Sequence, residues 1–284
     1  VSEYVRSQDA CAFIESLEDA SVGLVLIDPP YYGIVDDSWD NQWASEDDYV
    51  SWLSVMCYAA RKKLTPTGSL LVFGGVGKHG SHPFFRVISE LEKKFHFRNL
   101  ITWKKRRAYG KKFNYLHCRE EIVWYSKSSV ESEVTFNIPY LTEKRGYAGF
   151  NKKYPAKSPY YRVSNVWADI GELMRPKRTA EKPIPLLERL ILTHSNPNDL
   201  VVDFFAGTGS TGVAALKNGR RFLGCDMDNT AVQMANARCI SVYDSTSYHH
   251  GANTEDSNLC VSDPMQDQQQ EICGDHCKNS TEKI

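Results

Sequence analysis

Residues 201–228 read VVDFFAGTGSTGVAALKNGRRFLGCDMD, and no other stretch restricts the fold as much. An apolar run enters a glycine-rich turn, a short helical pattern follows, and a second apolar run closes on acids. Two buried strands joined through a helix lie parallel, with a right-handed crossover. Gly207, Gly209 and Gly212 stand at G-x-G-x-x-G spacing. Glycines there let the backbone approach a ligand, and the helix start offers free N–H groups. The plain alternative is a tight strand-to-helix turn that holds nothing.

The same alternation runs along the chain. VGLVLID is an uninterrupted apolar strand of the parallel type. Ser45 followed by acids opens a helix over SEDDYVSWLSVMCYAARKKL. SLLVFGG, RNLITWKK and REEIVWYSK read as strands, with a helix over FFRVISELEKKF and another over IPLLERLILTHS. The prediction is an α/β fold, a doubly wound, mostly parallel sheet with helices on both faces.

The glycine loop alone does not choose its ligand. Asp203, just before the loop, would repel a pyrophosphate but suits a cationic group such as an ammonium. That favours S-adenosylmethionine (SAM) over a dinucleotide, with Asp226 closing the next strand where an acid meets ribose hydroxyls. A second strand, 22–27, runs into Asp28-Pro29-Pro30-Tyr31. Proline has no N–H to continue a ladder. If both strands share a sheet, the two motifs meet at its carboxyl edge. There Asp28 and the Pro29 carbonyl can accept the two N–H groups of an exocyclic amine on a planar base. Tyr31 can stack on the base, and the prolines keep the arrangement rigid.

DPPY together with DFFAGTGST resembles the amino-methyltransferases of DNA, which methylate adenine N6 or cytosine N4 using SAM. DPPY precedes the SAM loop here, with a basic segment between them, and this circular order resembles the family's β group. The resemblance runs from about Arg6 to Cys239 and implies a Rossmann-like methyltransferase domain over 1–240. A catalytic half would cover about 1–125, a target-recognition region about 104–175 and a SAM-binding half about 176–240. It implies catalytic roles for Asp28, Pro29, Pro30 and Tyr31. It implies cofactor contacts from Asp9 and Ala10, from Lys182 in a KP-x-x-L-like helix, and from Asp203, Phe204, Ala206, Gly207, Thr208, Gly209, Ser210, Thr211, Asp226 and Met227. Asp226 stands where the family usually has Glu, and DFF replaces the commoner DPF. The target base would flip out of the duplex, and residues 32–43 suit a lid. DPPY goes mostly with adenine in this family and SPPY mostly with cytosine, so adenine N6 is expected and cytosine N4 is the alternative. An NAD-dependent oxidoreductase using GTGSTG and a catalytically silent DNA-binding module remain as rivals.

Charge is uneven although the net charge is −1. From Arg98 to Arg162 there are about fifteen Lys/Arg against about five Glu and no Asp, roughly +10. Cations interleaved with aromatics suit double-stranded DNA. The expected contacts are Lys104, Lys105, Arg106, Arg107, Lys111, Lys112, Lys144, Arg145, Lys152 and Lys153. Residues 241–284 are acidic and poor in large apolar side chains, and are expected to be a disordered tail. Its Cys260, Cys273, His276 and Cys277 make a poor zinc pattern, and no metal is expected. Eight scattered cysteines suit a reducing, intracellular compartment. No run suits a membrane span. The sequence leaves a homodimer open.

Overall fold

The computed structural model describes residues 3–251 apart from 34–41, 76–81, 111, 114, 145–157 and 175–180, with the side chains of 243–251 also excluded. The expected lid falls largely on 34–41, outside the described residues. So does most of the expected tail, 252–284.

The strands are β1 (Val5–Ser7), β2 (Val22–Ile27), β3 (Leu64–Gly74), β4 (His96–Tyr109), β5 (His117–Ser126), β6 (Tyr140–Lys144), β7 (Tyr160–Arg162), β8 (Val166–Trp167), β9 (Leu200–Asp203) and β10 (Arg221–Asp226). The helices are α1 (Ala10–Ser16), α2 (Glu46–Lys63), α3 (Pro83–Leu91), α4 (Ile184–His194), α5 (Ser210–Lys217) and α6 (Asn229–Gly251). Among the described residues eight strands form one sheet in the order β1-β10-β9-β2-β3-β5-β4-β8.

Every residue of β2 is buried, because the sheet is covered on both faces. Val25 and Ile27 pack into the core with Phe13, Leu53 and Met56 of α1 and α2. Leu24 and Leu26 pack into the opposite core with Leu190, Ala214 and Val232 of α4, α5 and α6. The period-two alternation of a strand divides one apolar run between two layers. Each fully buried large side chain contributes about 1.5–3 kcal/mol of transfer free energy. Helix α2 starts as expected: Ser45 Oγ accepts from Asp48 N at 3.1 Å. Acids fill its first turn and Arg61, Lys62 and Lys63 its last, so both ends complement the helix dipole.

The parallel part of the sheet brings the two sequence motifs together. β2 pairs with β9 in parallel, Val25 against Val202, so Asp28 and Asp203 leave neighbouring strands at the same edge. The expected strands in the basic region are present, but they form a long antiparallel hairpin: β5 pairs antiparallel with both β3 and β4. A second, two-stranded sheet, β6–β7, has no counterpart in the sequence reading. Helix α6 runs to Gly251, eleven residues past the boundary expected at 240.

Candidate active site

A cavity of about 510 Å³ opens at the carboxyl ends of β2 and β9. One wall is DPPY, the opposite wall is the 203–211 loop, and Trp52, Phe73 and Phe205 supply apolar surface between them. Trp52 on α2 lies 5.6 Å from Phe205, ring to ring, and 4.7 Å from Trp43. These contacts hold Trp43 against α2.

Asp28 follows the last residue of β2, where proline ends the ladder and turns its carboxylate into the cavity. Tyr31 Oη donates to Asp28 Oδ1 at 2.8 Å, and Lys182 Nζ donates to Asp28 Oδ2. Burial holds the Asp28 carboxyl above the usual carboxylate range, against the pull of Lys182. Burial and the Asp28 charge also push the Tyr31 phenol well up, so Tyr31 remains a neutral donor. Lys182 is 3.5 Å from Glu120 Oε2, and Lys105 pairs with Glu120 Oε1. Burial would raise Glu120, but these two ammonium groups carry it below its ordinary value. Burial would lower Lys182, but Asp28 and Glu120 outweigh it. Glu120 Oε2 is buried without a hydrogen bond, so its contact with Lys182 is electrostatic in character.

Across the cavity Asp203 organises the loop. Its Oδ1 accepts from Phe205 N at 2.9 Å and its Oδ2 from Thr211 Oγ1 at 2.7 Å. Burial pushes its carboxyl up to about 7, against those hydrogen bonds. Asp226 Oδ2 accepts from Gly207 N at 2.8 Å and Oδ1 from Asp228 N at 2.9 Å. Arg238 of α6 braces the loop from behind: its Nη1 donates to Thr208 O at 2.7 Å and meets Glu181 at 3.0 Å.

All four DPPY residues line the cavity, and so do Asp9, Ala10, Lys182, Asp203, Phe204, Ala206, Gly207, Thr208, Ser210, Thr211, Asp226 and Met227. Asp9 also caps α1, accepting from Cys11 N at 2.9 Å. Three of the expected residues have other partners in this structure. Gly209 does not line the cavity; at φ +80° a Cβ there would lie 2.8 Å from Ala235 of α6, so this glycine serves packing. Lys182 lies on the DPPY side of the cavity, joined to Asp28. Lys105, expected on DNA, turns inward to Glu120. Of the other expected DNA contacts, Lys104, Arg106, Arg107, Lys112 and Lys144 are exposed. Lys111, Arg145, Lys152 and Lys153 lie outside the described residues. The sequence reading missed Glu120, Glu181, Trp52 and Arg238. For Glu120 the alternation of β5 was the usable signal; for Arg238 there was none. Among the described residues no cluster of His, Cys, Asp or Glu is arranged to hold a metal ion.

The cavity suits SAM on its own chemistry. A Cβ on Gly207 would meet no atom within 4 Å, which leaves open space beside the loop. Carboxylates at Asp203 and Asp226 face that space. This constellation on a doubly wound sheet defines a Rossmann-like SAM-dependent methyltransferase of the β-group order. Residues 22–237 match the family described as DNA methylase (N6_N4_Mtase), and the chain belongs to that family, with SAM as its cofactor. Type II methyltransferase M1.MboII of Moraxella bovis is 32% identical over 256 residues, spanning 82% of this chain and 94% of that protein. TTHA0409 of Thermus thermophilus, solved in complex with SAM, is 25% identical with a TM-score of 0.59, covering 85% of this chain and 95% of that one. PvuII DNA methyltransferase, described as cytosine-N4-specific, shares the fold at 20% identity and a TM-score of 0.65, over 84% of this chain and 90% of that one.

Proposed function

We propose that this DNA methyltransferase transfers the methyl group of SAM to the exocyclic N6 amine of adenine in double-stranded DNA, with the target base flipped into the cavity. The observation that carries the proposal is the half-buried Asp28 carboxylate, oriented by Tyr31 and Lys182 and lining one cavity together with the glycine loop.

Asp203, Gly207 and Asp226 would hold the cofactor. Asp226 retains lone pairs for ribose hydroxyls after accepting two backbone N–H groups, and Asp9 is available to the adenine. When bound, SAM supplies an electrophilic methyl group on its sulfonium. The chain's own contribution is to position the amine. One N–H points to Asp28 and the other to the Pro29 carbonyl, which favours the geometry in which nitrogen's lone pair faces the methyl group. Tyr31 and Lys182 fix the carboxylate beforehand, so it does not reorganise during attack. The alkylated nitrogen carries positive charge beside Asp28 until it loses a proton. Asp28, with its pKa raised by burial, is placed to accept that proton. No covalent enzyme–base bond is required.

Asp at the first position of DPPY supports adenine. Cytosine N4 is the second reading, because cytosine offers the same amine and the PvuII enzyme, so described, has this fold. The test is to incubate the protein with labelled SAM and unmethylated duplex DNA, digest to nucleosides and identify the product by mass. N6-methyladenine supports the proposal, N4-methylcytosine replaces it with the second reading, and an unlabelled digest refutes both.

A further inference from the structure

The β4–β5 hairpin leaves the sheet at the edge where the cavity opens. β3 ends at Gly74, opposite Glu121. The hairpin ladder continues through Trp103–Glu120 and Lys104–Arg119 to Tyr109–His117. At about 3.4 Å per residue, it carries its tip roughly 13 Å past the end of β3. Glu120, at its base, lines the cavity. That base is fixed: Trp103 Nε1 donates to Ile170 O at 2.7 Å. The Glu172 carboxylate accepts from two successive backbone amides, Arg106 N at 2.7 Å and Arg107 N at 2.9 Å.

The tip has a different character. Phe113 and Tyr115 are each 92% exposed, and Tyr109 and Leu116 are also largely in solvent. Lys112 sits 5.5 Å from the centre of the Phe113 ring. Below the tip, Lys104 and Arg119 stand directly opposite each other in the ladder, and Arg119 also meets Glu121 at 3.0 Å, so the pair adds exposed positive charge below the tip. Two such exposed aromatic rings on a cationic arm beside the cavity offer a large apolar surface to a partner. A duplex that has lost one base from its stack fits that surface, because it offers a flat apolar gap between phosphate rails.

We propose that the hairpin tip is the wedge that enters the duplex where the target base leaves, with the Phe113/Tyr115 pair taking that base's place in the stack. The inference rests on the base-flipping function proposed above and adds the surface that offsets the loss of stacking. A wedge matters only where a stack must be repaired, so its loss should spare single-stranded substrate.

The experiment compares wild type with Phe113→Ala/Tyr115→Ala, using labelled SAM on one unmethylated plasmid, either duplex or heat-denatured. Base–aromatic stacking is strong enough that duplex methylation should fall by about tenfold or more. Methylation of the denatured DNA, SAM affinity and melting temperature should be unchanged. Phe113→Trp/Tyr115→Phe should restore duplex activity. Equal loss on both substrates would make the tip a general binding arm and overturn the wedge, as would no loss on either. A double variant with altered molecular mass by light scattering would make the tip a contact between copies of the chain, which also overturns it. If wild type labels neither DNA, the proposed function itself falls; if wild type labels DNA and only the substrate contrast is missing, the wedge alone falls.

Discussion

Protonation of Asp203 is expected to make SAM binding depend on pH, and the size of the effect follows from the site. Its carboxyl is buried and pushed up to about 7, against about 3.9 for an unperturbed aspartate. Folding therefore favours the protonated form. The stability this group contributes is complete below about pH 4 and is lost as pH rises through 7, up to about 4 kcal/mol in all. A ligand with positive charge near Asp203 favours the ionised form, so binding expels the proton. If only the ionised form binds, apparent affinity scales with the ionised fraction, which rises about eightfold between pH 6 and pH 7.5. Calorimetry at those two values, each in two buffers of different ionisation enthalpy, reads both the affinity and the proton release. Asp203→Asn should abolish both and raise the melting temperature of the ligand-free protein at neutral pH. The amide oxygen can still accept from Phe205 N, and the Thr211 hydroxyl can turn to accept from the amide. An affinity independent of pH, with no proton released by wild type, would refute the reasoning.

Three further outcomes are expected. Asp28→Ala should reduce methyl transfer by at least about a hundredfold while calorimetric SAM affinity stays within a few-fold; near-normal turnover would remove Asp28 from the chemistry. Lys182→Met should leave the Asp28 and Glu120 carboxylates buried without their shared ammonium, costing about 3–5 kcal/mol. The deficit should be largest at alkaline pH and shrink as acid protonates Asp28, so a urea midpoint equal to wild type at pH 8 would contradict the network. Asp226→Ala removes an acceptor of Gly207 N and the proposed ribose contact, and should weaken SAM by about 1–3 kcal/mol. Wild-type affinity in that variant would exclude Asp226 from the cofactor site.

The motifs legible in the sequence are those whose meaning is local. DPPY and the glycine loop each end a strand, and adjacency of those strands follows from the α/β pattern, so the cavity could be anticipated. The charge network could not. Lys105, Glu120, Lys182 and Asp28 lie on four separate elements or connections, and the β4–β5 register is what brings Lys105 within reach of Glu120 at the cavity wall. A run of cations such as KKRR states its charge but not which side chain turns inward, which is why Lys105 was expected on DNA. The glycines show a related ambiguity. The same spacing serves a glycine that leaves room for a ligand, Gly207, and one that lets a helix approach, Gly209, and the difference depends on where α6 packs.

The distribution of charge joins the cofactor site to the DNA surface. The cavity is lined by Asp9, Asp28, Glu120, Glu181, Asp203 and Asp226, with Lys182 as the lysine among them. Such a lining repels phosphate and attracts cations. On the proposed reading, SAM enters carrying a sulfonium charge that its demethylated product lacks, so the same carboxylates that hold the cofactor release the spent form more readily. On the same reading, DNA would meet the opposite sign first, on the exposed cations of the hairpin. The phosphate backbone would be held there and kept out of the acidic cavity, and the part of a nucleotide that could pass between the two regions is its uncharged base. On the proposed reading the amine is briefly cationic once methylated, a charge that carboxylates lining the cavity would stabilise. On that reading, the separation of a basic arm from an acidic pocket favours entry of an uncharged, flipped base by the same electrostatics that favour a cationic cofactor.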